Sequence, residues 1–294
     1  MIKKSISRRI FELFNVCLML ALVAVTLFPV WYVFVASFSD SDELIRIGGK
    51  MIFWPVGFNI NAYEKAFSNP NILIGYKNTV FLVAAGVILS MLFSIVGAYF
   101  LSRRNVMLRR PITFLIMFTM WFSGGLIPFY IAVRDIALTN TLWSLIIPTL
   151  ISTYNMIIIR TGFDAIPASL EESAVIDGAG HLTIMFKIML PLAKASIAVV
   201  ALYYGVGYWN GWFNASLFLQ GATDKWPLQL VLRQILIVND TSNMQQNVSE
   251  ADREKIGESI KYAVIVIATL PILCVYPFIQ KYFVKGVMIG AVKG

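Results

Sequence analysis

A chain of 294 residues that is 58% hydrophobic and only 14% charged, with a mean hydropathy of +0.74, carries more uninterrupted apolar sequence than a water-soluble globule of that length needs. Its formal net charge of +8 falls at the ends of apolar runs, which suits an anionic lipid leaflet and argues against a nucleic-acid-binding patch. Cys17 and Cys274 both sit inside apolar runs with only His181 for company, so no disulfide, metal site or catalytic constellation is expected.

Six windows contain no Asp, Glu, Lys or Arg: 13–39, 78–102, 111–133, 136–159, 195–223 and 262–280. Each reaches the roughly 20 residues that a helix needs to cross a bilayer, which predicts six transmembrane helices. Ahead of the first, Ile6, Ile10, Phe11, Leu13 and Phe14 share one helical face while Arg8, Arg9 and Glu12 point elsewhere. That pattern predicts an interfacial helix over residues 1–12, with a frayed basic tail as the alternative. The first apolar run is too long for a signal-peptide core and reads as a retained span containing Pro29 and closing on Trp31-Tyr32.

Residues 40–77 form a polar connection with Gly48-Gly49, Pro55, Gly57 and Pro70, and a short helix is expected over 60–67 with Asn59 or Asn61 as its cap. Arg103-Arg104 and Arg109-Arg110-Pro111 mark a tight turn between the second and third windows, and 134–140 a tight turn between the third and fourth. Two connections are long, 160–194 and 223–261. Long connections in a compact protein are usually functional or unstructured, and function is expected of the first. In the second, Leu228, Leu232 and Ile235 recur at helical spacing after Trp226-Pro227.

Charge sets the orientation. With the N-terminus in the cytoplasm, 14 of the 24 basic and five of the 16 acidic residues lie inside, leaving ten basic and eleven acidic outside. The positive-inside bias therefore predicts an N-in, C-in topology.

The 160–194 connection holds the most specific pattern. Pro167, then Ser169 three residues before Glu172, has capping-box spacing at a helix start. Gly178-Ala179-Gly180 should end that helix, and a second should run from about His181 to Leu190 until Pro191 redirects the chain. A helix that seats on a partner needs small residues at the approach, here Ala174, Gly178 and Ala179, and charges to fix its register, here Glu171, Glu172 and Asp177. Glu172-Ser173-Ala174, Gly178, Ile188 and Leu190-Pro191 stand at the spacing Glu-Ala-Ala, Gly, Ile-x-Leu-Pro. That spacing resembles the cytoplasmic coupling signature of ABC importer permeases, and only Ser173 departs from it.

The resemblance implies that the bent segment within 164–194 docks on a separate ATPase subunit and passes its closure to the spans. Gly-x-x-x-x-Gly-Lys-Ser/Thr does not occur in the chain, so ATP and Mg are expected on the ATPase dimer, and this chain is not expected to be an enzyme. The end of the chain, Gly290-Ala291-Val292-Lys293-Gly294, is similar to the tail of the carbohydrate-uptake-1 family, which implies a second ATPase contact. A basic tail held at the leaflet is the alternative.

The apolar windows contain no charged residue, which fits a neutral substrate better than an ion or proton route. Aromatic and amide side chains within them, Phe122 and Ser123, Tyr154 and Asn155, Trp209 and Asn210, Trp212 and Asn214, could meet the C–H faces and hydroxyls of a sugar, with helix packing as the competing explanation. Trp209-Asn210 resembles the family's Trp-Asn-Glu motif, but Gly211 replaces the Glu.

Phe122-Ser123-Gly124-Gly125-Leu126-Ile127-Pro128 and Ala201-Leu202-Tyr203-Tyr204 are similar to the branch of the carbohydrate-uptake-1 family that takes up complex oligosaccharides. The expectation is an all-α integral membrane protein with a type I ABC importer transmembrane domain over 13–283 and a cytoplasmic tail over 284–294, in a bacterial cytoplasmic membrane. Its implied partners are an ABC ATPase dimer, a second permease, an extracellular solute-binding lipoprotein and membrane lipid, with no nucleic acid. The alternatives are a related importer for peptides, amino acids or another polar solute, and a secondary transporter, which would show a buried charge or a repeated half.

Overall fold

The computed structural model describes residues 5–103, 105–237 and 260–277, all of them helical or connecting, with no strand among them. The chain divides into two compact units, 1–70 with 234–270 and 71–233 with 271–294. The expected tail contact at Gly290 through Gly294 lies outside the described residues.

In the first unit, α1 (Ile6–Ser37) is a single 32-residue helix. The Ser5 hydroxyl caps it by accepting from the Arg8 N–H, and no break separates the basic start from the apolar run. At 1.5 Å per residue it is about 48 Å long, more than a hydrocarbon core requires. Asp40 caps α2 (Ser41–Ile47) by accepting from the N–H groups of Asp42 and Glu43. Its other carboxylate oxygen accepts from Asn59 Nδ2 at 2.9 Å. Asn59 Oδ1 in turn accepts from the Asn61 N–H at 3.3 Å, so Asn59 serves the first N–H of α3 (Asn61–Ser68) as expected, although the N-cap position itself falls on Ile60, which makes no side-chain cap. Val35, Ala36, Leu44 and Ile52 form a small core here. Tyr63 donates to or accepts from Ser37 at 2.7 Å; burial pushes its phenol above the ordinary value and the Ser37 bond offsets part of that.

The second unit is organised by α4 (Pro70–Ser102). Its buried positions include Gly75, Thr79, Gly86, Ser90, Ser94 and Ala98, small residues at helical spacing that admit close neighbours. The third charge-free window, 111–133, is not one helix. α5 (Arg109–Phe118) stops and α6 (Leu126–Asp135) restarts after Gly125, whose φ of +87° is a conformation that glycine adopts without strain. The fourth and fifth windows are also broken. α7 (Trp143–Ile146) and a 3₁₀ turn precede α8 (Thr153–Asp164), with a 52° bend between the two parts. Among the described residues, three helices are long and apolar enough to cross a membrane singly, or up to five spans if each bent pair counts as one.

After α8 come α9 (Ala168–Ile176), α10 (His181–Thr183), a π-helical turn over Ile184–Met189 and α11 (Leu190–Leu192). An 86° bend then leads into α12 (Lys194–Asn210), followed by α13 (Phe213–Phe218) and α14 (Leu228–Ile237). The last described helix is α15 (Ile260–Pro277). α14 starts against α4: the Leu228 N–H donates to Thr79 Oγ1 at 2.9 Å, and Asn78 Nδ2 donates to the carbonyls of Asp224 and Trp226.

Candidate functional site

The coupling segment folds as an elbow. α9 opens at Pro167, which has an extended ψ of 131° and makes no side-chain cap. The capping box expected from Ser169 and Glu172 does not form, because the helix has already begun at Ala168 and Ser169 lies inside its first turn. α9 ends as the sequence predicts, at glycine. The Gly178 N–H donates to the Val175 carbonyl at 3.0 Å and the Ala179 N–H to the Ala174 carbonyl at 2.9 Å, the two bonds of a Schellman motif. Gly178 takes φ +78°, and a Cβ added there would meet no atom within 4 Å. Its requirement is conformational rather than spatial.

Pro191 does not end the next helix. A proline inside an α-helix lacks the N–H of its turn, and its ring strikes the carbonyl four residues back, here that of Lys187. The π-helical turn widens the backbone immediately ahead of it, so the helix continues through Pro191. The 86° bend falls instead at Ala193, with φ −89° and ψ 14°. Ile184, Met185 and Met189 pack inward with Ala174, Phe163 and Tyr99.

The outward surface of the elbow carries Glu172, Ser173 and Asp177, all exposed, beside Ile176 at 85% and Leu182 at 71% exposure. Ala174 is buried, and Ala179, Ile188 and Leu190 are half-buried against the inner face. Glu171 turns the other way and forms an ion pair with Arg103, just beyond the end of α4. These residues border an open cleft of about 840 Å³ between the α4–α5 turn and α9.

A second cavity, about 300 Å³, is lined by Thr149, Ser152, Asn155, Tyr203, Tyr204, Tyr208, Gly211 and Asn214 among others. Its tyrosines are fixed by hydroxyl contacts across helices: Tyr204 with Ser94 at 2.7 Å, Tyr208 with Ser90 at 2.9 Å, and the Ser152 N–H donating to the Tyr204 hydroxyl at 2.9 Å. Of the residues singled out for a substrate path, Asn155 and Asn214 line this cavity, and Tyr154 stacks on Tyr203 with centroids 6.4 Å apart. The others lie elsewhere. Trp209 meets Tyr76 edge-on at 6.1 Å, Phe122 stacks on Phe118 at 4.3 Å beside exposed Ser123, and Asn210 is exposed at the end of α12. Trp212 lies under the guanidinium of Arg233 at 4.1 Å. Tyr204 and Tyr208 were not selected from the sequence, although their four-residue spacing matches that of Ser90 and Ser94.

Apolar helices, some long enough to cross a membrane, with an exposed, bent segment between two broken ones, suit a membrane transport permease. The chain belongs to the family of binding-protein-dependent transport system inner membrane components, whose pattern covers residues 92–289. It is 44% identical over 97% of its length to 99% of a Bacillus subtilis protein described as a polygalacturonan/rhamnogalacturonan transport system permease. It is 41% identical to LplC of the same organism, over 97% of this chain and 96% of that one. Among solved structures, a chain of a bacterial ABC transporter involved in the import of the acidic polysaccharide alginate superposes with a TM-score of 0.86 at 34% identity, covering 96% of this chain and all of that one. The protein is an integral membrane permease of the sugar-importer type.

Proposed function

We propose that this chain is one membrane-spanning subunit of an ATP-driven importer that moves an oligosaccharide delivered by an extracellular binding protein. It pairs with a second permease, has its N- and C-termini in the cytoplasm, and docks on an ATPase dimer that holds ATP and Mg. The observation that carries the reading is the elbow, a Schellman turn and an 86° bend that leave exposed apolar Ile176 and Leu182 among Glu172 and Asp177. Exposed apolar side chains among carboxylates suit a groove on a partner. The test is affinity purification of tagged chain from native membranes in mild detergent, wild type beside Leu182→Glu. Wild type should bring down an ATPase, a second permease and a binding protein, and the variant should lose the ATPase. Equal recovery of the ATPase would remove the docking assignment.

A finer reading is favoured by one observation. Arg233 stacks on Trp212 and has no carboxylate partner among the described residues, while Gly211 and Asn214, on either side of Trp212-Phe213 in sequence, both line the 300 Å³ cavity. A guanidinium beside an indole suits a carboxylate-bearing sugar, and the polymers named for two of the relatives are polyuronates. Tri-galacturonate should then be taken up in preference to its methyl ester, and Arg233→Gln should erase the preference. Equal uptake of acid and ester by the wild type would return the substrate to neutral oligosaccharides.

A further inference from the structure

The end of α4 touches the elbow at two places. Arg103 pairs with Glu171 of α9, their side chains only 12% and 29% exposed. The Arg103 guanidinium also lies 4.6 Å over the Tyr99 ring, and its Nε and Nη2 donate to Ser102 Oγ. One turn earlier, the Tyr99 hydroxyl meets His181 Nδ1 of α10 at 3.3 Å. Arg109 Nε donates to the Leu101 carbonyl at 2.8 Å and secures the same helix end.

Farther along α4, Ser94 and Ser90 hold Tyr204 and Tyr208 of the cavity. At 1.5 Å per residue, these serines lie about 14 and 20 Å from Arg103 along one unbroken helix. The elbow reaches the same tyrosines by a second route, since α12 leaves the Ala193 bend and carries Tyr204 and Tyr208 itself. The two routes close a loop: elbow to α4 through Arg103–Glu171 and Tyr99–His181, α4 to α12 through the tyrosine hydroxyls, and α12 back to the elbow through the chain.

We propose that Arg103 and Glu171, with Tyr99 and His181 beside them, tether the coupling elbow to α4, so that movement imposed on the elbow reaches the tyrosine-lined cavity along α4 and α12 together. Glu171 is then a positioning residue that faces its own chain, not a contact with the ATPase. This rests on the importer reading, and it adds a route of transmission to it. A covalent bend alone would let α12 swing while α4 stayed behind. With the ion pair in place, the helix that holds one wall of the cavity moves with the helix that holds the other. Arginine suits the position because its planar fork reaches Ser102 and Glu171 together while its face covers Tyr99.

The experiment compares wild type, Arg103→Glu, Glu171→Arg, the double exchange Arg103→Glu/Glu171→Arg, and the milder Glu171→Gln. Each is expressed as the full chain with its partners, and measured for amount in the membrane, recovery of the ATPase subunit, ATPase rate and uptake at several sugar concentrations. Glu171→Gln keeps the side-chain shape and guards against simple misfolding. Each single change should lower maximal uptake by about 5- to 150-fold, the usual span of a coupling between two sites. ATPase recovery, ATP turnover and the half-saturating sugar concentration should stay near wild type, so hydrolysis becomes uncoupled from uptake. The double exchange should recover most of the uptake.

Normal uptake in the single variants would overturn the tether, as would failure of the double exchange to restore uptake above either single. Loss of the ATPase from Glu171→Gln would overturn it in another way, by showing that Glu171 docks the partner directly. A wild type that recovers no ATPase at all would sink the importer reading itself, an outcome distinct from a working importer indifferent to Arg103 and Glu171.

Discussion

The elbow and the tyrosine cavity both depend on glycine, in opposite ways. At Gly178 a Cβ would find open space, but the backbone stands at φ +78°. At Gly86 the backbone is ordinary helix, but a Cβ would lie 2.6 Å from two atoms of the Tyr208 ring. The elbow glycine lets the chain turn and leaves the surface beside it clear. The α4 glycine lets a side chain from the facing helix come to rest against the backbone. An exposed turn is thus specified by backbone geometry, and a cavity between helices by the fit of their facing surfaces. Substitutions that add bulk without changing backbone preference should separate the two.

The largest effect is expected at Gly86. Gly86→Leu drives a side chain into the Tyr208 ring, which must move and release its hydroxyl contact with Ser90. Overpacking of this kind costs about 1–3 kcal/mol, and the tyrosine wall is displaced as well. Thermal melting of the detergent-purified complex should fall and uptake should be lost, while Leu182 and the rest of the elbow remain able to hold the ATPase. An unchanged melting point would mean that α4 and α12 do not pack at this register.

Tyr204→Phe comes next. Its hydroxyl partners Ser94, which is fully buried, and accepts from the Ser152 N–H. Removing one partner of a buried polar group costs about 1–3 kcal/mol, whereas removing both sides costs less. Ser94→Ala with Tyr204→Phe should therefore melt higher than the sum of the two single losses predicts. Additive losses would show that the contact contributes nothing of its own.

How far these features could be read beforehand differs by their origin. The elbow was legible because its signal is local: a helix, Gly178, and Leu190-Pro191 at fixed spacing. Its detail was less so, since Ser169 looks like a cap until Pro167 is seen to hold the cap position two residues sooner, and Pro191 looks like a terminator until the π-helical turn ahead of it is seen. The breaks in the spans were hidden because an absence of charge reports solvation and not backbone path. Window 111–133 is apolar throughout, yet Gly125 at φ +87° divides it. The cavity was hidden for a third reason. Tyr204 carries only a family likeness in the sequence and Tyr208 only a place in an aromatic run, and it is their register against Ser90 and Ser94, more than a hundred residues away in sequence, that gives them partners. Trp209 and Trp212 drew notice for their chemistry, but their rings pack on Tyr76 and under Arg233.

At Gly178 a smaller effect is expected, and it should depend on which side chain is introduced. A β-branched residue in the left-handed region pays about 1–2 kcal/mol, whereas asparagine tolerates that region well. Gly178→Val should open the Schellman turn, weaken ATPase recovery and reduce uptake, while Gly178→Asn should stay close to wild type because nothing lies within 4 Å of the added carbon. If asparagine were as harmful as valine, the partner's surface would have to approach Gly178 closely, and the requirement there would be for space after all.

The smallest effect belongs to Ser173, the one departure from the Glu-Ala-Ala spacing. It lies on the exposed side of α9, next to buried Ala174 and one turn ahead of the Schellman glycine. Serine at an exposed helix position is only slightly worse than alanine as a helix former. Ser173→Ala should therefore raise stability by a few tenths of a kcal/mol at most, within the usual range of about ±0.5 kcal/mol for surface changes. Uptake and ATPase recovery should be unaltered if the partner's groove accepts either side chain. A clear fall in both would assign the Ser173 hydroxyl a hydrogen bond across the interface and make it a determinant of which ATPase this permease accepts, a property that the Arg103–Glu171 tether, facing its own chain, does not supply.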